Sequence, residues 1–177
     1  MTPAVAIGLA LMPVLVSAGD APRPSAESLA AFFDKTRAAL PCVGEAAALL
    51  RQAGYRAAGP AEVSEDYRLQ EYSGPEGDVT LGISAETTPL GTQFAASVQL
   101  SDPDGSFGAA LARVYASRNA LPAPTPVRQQ TGRDSASWTL PSRFGPTLVV
   151  IEHRPATGRT AIYANLAPIR PGTPTGC

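Results

Sequence analysis

His153 is the only imidazole in a chain of 177 residues, so acid–base chemistry by a ring nitrogen has to run through it. It stands in Glu152-His153-Arg154, at the end of the apolar run Leu148 to Ile151. Strand alternation puts it on the side of Val149 and Ile151, with Glu152 and Arg154 on the other. A hydrolytic triad would need a nucleophile and an orienting carboxylate brought in from elsewhere. Ser135, Ser137 and Ser142 offer hydroxyls, but none sits in a Gly-x-Ser-x-Gly elbow. A histidine that closes a strand is the plainer reading. His153 is kept as the catalytic candidate.

The acidic residues are less directive. Glu62, Glu65, Asp66, Glu71, Glu76 and Asp78 fall mostly in loops and read as solvated surface. A glycosidase needs two carboxylates facing each other across a cleft, which spacing alone does not supply. Asp102-Pro103-Asp104-Gly105 opens like a calcium loop. Its sixth position is Phe107 and its twelfth Arg113, where Gly and Glu are required. Two cysteines and one histidine fall short of a zinc site. A phosphate-cradling loop is absent, and the one lysine, Lys35, lies in a helix. The sequence implies no metal and no cofactor.

Cys42 and Cys177 form an even pair, which in an oxidising compartment favours a disulfide. The alternative is a reactive thiol at Cys42, since a helix start lowers a thiol pKa. Charge is unevenly spread. Residues 1–105 hold thirteen of the fifteen acidic and six of the fourteen basic residues, whereas 106–177 hold Asp134, Glu152 and eight arginines. Arg113, Arg118, Arg154 and Arg159, with Arg128, Arg133, Arg143 and Arg170, are candidates for a basic face toward an anionic envelope component or an acidic protein. The competing reading is that the two halves pair their charges. Nucleic acid is not expected, because no stacking aromatics interleave with the arginines.

These residues must be placed by elements. Helical spacing runs from Glu27 to Leu40, where Pro41 stops it, and again from Val43 to Ala53, where Gly54 does. A third helix follows Ser106, taken as its N-cap, and carries Phe107, Leu111, Val114 and Tyr115. Period two marks strands at Tyr67–Tyr72, Val79–Ala85, Phe94–Leu100, Ser135–Leu140 and Ala161–Leu166. The continuous run at 148–151 reads as a central strand. The order ααβββαβββ is an α+β domain over 27–166, an antiparallel sheet of five to six strands covered by two to three helices. Matches such as Gly44 with Gly108 and Pro60 with Pro124 offer an alternative of two quasi-repeated αβββ halves. The outward sheet positions, among them Gln93, Gln99, Ser97, Tyr163 and Asn165, are hydrogen-bonding and almost uncharged, a surface suited to a glycan, a peptide or a protein.

Ala4 to Val16 is an unbroken apolar run ending at Val16-Ser17-Ala18, the pattern of a signal peptide over 1–18 and too short for a transmembrane helix. An uncleaved short anchor is the alternative, since no Lys or Arg precedes the run. Residues 19–26 read as a linker and 167–177 as a Pro-rich tail. The composition, 44% hydrophobic and 16% charged, is that of a folded domain, and its Ala, Pro, Gly and Arg bias is bacterial in character. The expectation is a periplasmic or secreted, non-catalytic binding or interaction domain. A small hydrolase-like enzyme using His153 or a carboxylate pair, and a structural envelope subunit, are the alternatives.

Overall fold

The computed structural model describes residues 23–75, 78–125, 127–128, 132–173 and 177, with the side chains of 127–128 excepted. The apolar run, its cleavage site, Glu76 and the Arg128 side chain lie outside the described residues. Helix α1, Ala26–Ala39, starts where Ser25 Oγ accepts the Ser28 N–H at 3.1 Å. It buries Leu29, Ala30, Phe33 and Thr36. Helix α2, Val43–Gln52, buries Ala46, Ala47 and Leu50, and α3, Ser106–Arg118, buries Leu111, Ala112, Tyr115 and Ala116.

The strands are β1 Arg56–Ala57, β2 Glu62–Val63, β3 Tyr67–Ser73, β4 Thr80–Thr88, β5 Gly91–Ser101, β6 Val127–Arg128, β7 Asp134–Leu140, β8 Thr147–Arg154 and β9 Arg159–Leu166. All belong to one antiparallel sheet ordered β1-β3-β4-β5-β9-β8-β7-β6, with β2 on β3. The chain is thus α+β as expected, but with nine strands among the described residues rather than five or six. The extra three, β1, β2 and β6, are two residues each, too short to show a hydrophobic period. The run at 148–151 is an interior strand, as expected. It lies between β9 and β7, and it alternates after all: Val149 and Ile151 are buried while Leu148 is 43% exposed.

Two three-stranded meanders, β3–β5 and β7–β9, lie side by side and meet where Val98 faces Ile162. Their first strands open at Tyr67 and Asp134 and their second at Thr80 and Thr147, 67 positions apart in both cases. The three helices share one face. Leu81, Ile83, Val98, Leu100, Val149, Ile151, Ile162 and Leu166 turn toward them and form the core with Leu29, Phe33, Leu50 and Tyr115. Removing such side chains from water, at roughly 1.5–3 kcal/mol each, is the main stabilising term. Phe33 and Tyr115 meet edge to face at 6.4 Å, joining α1 to α3. Asp34 joins them again, accepting from Arg118 Nε at 3.1 Å and Asn119 Nδ2 at 3.2 Å.

Cys42 is disulfide-bonded to Cys177, 135 residues later. Ile169 is buried and its backbone pairs with Thr92, so the segment after β9 also packs on the sheet. No helix among the described residues is long and apolar enough to cross a membrane.

Candidate functional site

The start of α3 is built around a carboxylate from the preceding turn. The N-cap position is Gly105 (φ +74°), which has no side chain to offer, so Ser106 is the first helical residue rather than the cap. Asp102 does the capping from further back. Its Oδ1 accepts the Phe107 N–H at 3.2 Å and its Oδ2 the Gly108 N–H at 2.8 Å. These N–H groups have no partner inside the helix, and the helix N-terminus favours the negative charge. Asp104, exposed in the same turn, accepts from the N–H and hydroxyl of Ser106, which hold its carboxyl below the usual range.

Asp102 is 0% exposed, and its third donor comes from the sheet: Thr160 Oγ1 of β9, at 2.7 Å. Thr160 pairs across the ladder with His153 of β8, whose Nδ1 lies 3.3 Å from the same Oγ1 and 3.9 Å from Asp102 Oδ2. Two glycines let helix and sheet approach this closely. A Cβ on Gly108 would stand 2.6 Å from Thr160 Oγ1, and one on Gly105 would stand 2.9 Å from His153 Cδ2. Gly105 also holds a left-handed backbone that side-chain-bearing residues rarely adopt.

Beside this cluster a cleft of about 380 Å³ opens between α3 and the β7–β8 edge. Helix α3 lines it with Gly108, Ala109, Ala112 and Arg113; the connector adds Ala123 and Pro124; the strands add Asp134, Ser135, Ala136, Ile151 and His153. Small residues on α3 are what leave the space open. The volume lies at the lower end of small-molecule pockets, and the mix of apolar walls with a few polar groups is what such pockets have.

On the opposite face of the sheet Glu152 is only 6% exposed although none of the three described helices covers it. Tyr163 donates to its Oε1 at 2.8 Å, Arg154 bonds both Glu152 and Tyr163, and Arg133 approaches to 3.8 Å. Burial first, then the hydrogen bond to Glu152, pushes the Tyr163 phenol up to about 12. Arg159 stands directly across from Arg154 in the β8–β9 pair.

The sequence candidates are therefore dispersed. His153 and Arg113 line the cleft. Arg118 is committed to Asp34, and Arg143 lies over the Phe144 ring. Arg154, Arg159, Gln99 and Tyr163 lie on the uncovered face, with Gln99 opposite Ala161, and Gln93 is at the far end of β5 opposite Glu86. Arg113 and Arg118 on α3, Arg143 after β7, and Arg154 and Arg159 on the other face thus do not build one basic face. Asp102 and Thr160 were missed. Asp102 was visible as an acidic residue just ahead of a helix, but Thr160 becomes its partner only through the β9 register. Among the described residues no group of three His, Cys, Asp or Glu side chains is placed to hold a metal ion. Comparison with protein-family models, curated proteins and solved structures finds no match.

Proposed function

We propose that this chain is an exported, non-catalytic binding domain of the bacterial cell envelope, and that it takes its ligand in the cleft between α3 and β7–β8. The observation that carries this reading is the cleft itself, a 380 Å³ space with apolar walls and His153 held rigidly at its side. The order of the polar groups argues against a hydrolase. A triad runs carboxylate, imidazole, hydroxyl, so that the imidazole can take the hydroxyl proton. Here Thr160 sits between Asp102 and His153, and its hydroxyl is buried on Nδ1, where no substrate reaches. The disulfide fits an oxidising compartment, as does the apolar segment at 1–18.

The equal offsets of the two meanders support reading them as quasi-repeated halves. At the place of Asp134 and His153 the first half pairs Tyr67 with Glu86, so the cleft chemistry belongs to the second half alone.

Ligand-observed NMR with a fragment library tests the reading. Fragments should bind the native chain and lose binding in Ala109→Trp, which fills the cleft, while chromogenic ester and glycoside probes show no turnover. Fragments that bind both chains equally, or turnover abolished by His153→Ala, would refute it. Intact mass of the exported protein should show loss of residues 1–18 and a two-hydrogen deficit; retention of the segment would favour the uncleaved anchor.

A second reading rests on Arg154 facing Arg159. Glu152 already balances Arg154, whereas Arg159 Nε is buried with no hydrogen-bond partner among the described residues. An anionic partner would therefore relieve the like charges set opposite each other. Retention of the protein on an anionic polymer, lost in Arg159→Gln, is the expected result; unchanged retention removes this reading.

A further inference from the structure

Among the charged and imidazole groups of the cleft, acceptors outnumber donors, Arg113 being the exception. Thr160 has a single hydroxyl proton, and its shorter contact, 2.7 Å, is to Asp102 Oδ2. Its oxygen is left to accept from His153 Nδ1 at 3.3 Å. An imidazole with its proton on Nδ1 has Nε2 as a bare acceptor while the ring is neutral. Asp134 stands opposite His153 in the β7–β8 register, and Asp104 closes the α3 end. Both are acceptor-only as carboxylates, and the Ser106 donors keep Asp104 in that form. Arg113, also on the cleft wall, sets one guanidinium against the two carboxylates.

An oxyanion in this cleft would meet Asp104, Asp134 and the Nε2 lone pair against the one guanidinium of Arg113. An alcohol brings a single donor. A primary ammonium brings three donors and a positive charge. We propose that the cleft is a site for a small molecule with an apolar body and a primary ammonium end, the body lying along Ala112, Pro124 and Ile151 and the ammonium donating to His153 Nε2, Asp104 and Asp134. This rests on the cleft being the ligand site and adds the chemical class.

Isothermal titration calorimetry of the intact chain with hexylamine, hexanol and hexanoate separates the two levels. Hexylamine should bind about tenfold more tightly than hexanol, and hexanoate more weakly than either. Asp134→Asn, at an exposed position, should weaken hexylamine about threefold to tenfold and leave hexanol unchanged. Equal affinity for amine and alcohol, tighter binding of hexanoate, or an Asp134→Asn chain that keeps its amine affinity overturns the ammonium assignment and leaves the cleft a binding site. No binding of any of the three overturns both.

Discussion

Glu152 and His153 are neighbours on one strand, yet they anchor polar clusters on opposite faces of the sheet by different means. On the helix side, Asp102 is satisfied by two backbone N–H groups and a hydroxyl, all neutral and all fixed by secondary structure. On the uncovered side, Glu152 is satisfied by a phenol and by guanidinium groups on long side chains, Arg154 and Arg133 being 34% and 41% exposed. A cluster tied to backbone is rigid and intolerant of change, because lost partners leave buried donors bare. A cluster of partly exposed charges can be rehydrated when one member is removed. The first can hold a histidine in one orientation beside a cleft, and the second can only hold a surface together.

The sharpest way to break that contrast is Asp102→Ala, which strands three donors at the helix–sheet junction. It should lower unfolding free energy by about 4 kcal/mol in urea titrations. A loss near 1 kcal/mol would mean that water or another group replaces the carboxylate. Gly108→Ala pushes a methyl against Thr160 and should cost about 2 kcal/mol by the same measurement. Glu152→Gln on the other face should cost about 1 kcal/mol, and a cost equal to that of Asp102→Ala would erase the distinction.

The smallest effect is in the pH dependence of the uncovered face. Tyr163 is raised from about 10 to about 12, so the folded state holds its proton longer than the unfolded chain. Below about 10 both states are protonated and the stabilisation is whole; it is lost as pH rises through about 12. Glu152→Gln should move the phenol downward without restoring the ordinary value, since burial is the larger cause. Ultraviolet titration of tyrosinate reads this directly, and an unmoved midpoint would deny Glu152 its part.

The sequence carried the three helices and five of the six longer strands in their apolar periods, because each buries one face against the core, and β8 in its continuous apolar run. It did not carry β1, β2 and β6, which exist only because β3 and β7 offer an edge to pair with. Ser106 looked like an N-cap because Ser is a good one, yet the left-handed Gly105 hands that task to Asp102. The cleft was illegible for a different reason. It depends on which residues of α3 are small where the helix crosses β8, and on Thr160 pairing with His153, both of them facts of register between distant segments. The arginine excess was plain in the chain, but its dispersal between α3, the β7–β8 turn and the uncovered face was not.

The central claim is that Asp102, acting through Thr160, fixes the His153 proton on Nδ1 and turns Nε2 to the cleft as an acceptor. Because His153 is the only histidine, a long-range proton–nitrogen correlation spectrum of the nitrogen-15-labelled protein, taken at alkaline pH, reads it without assignment. The expected spectrum has a protonated Nδ1 and an unprotonated Nε2, with that preference lost in Thr160→Val. A protonated Nε2 in the native chain would contradict the account.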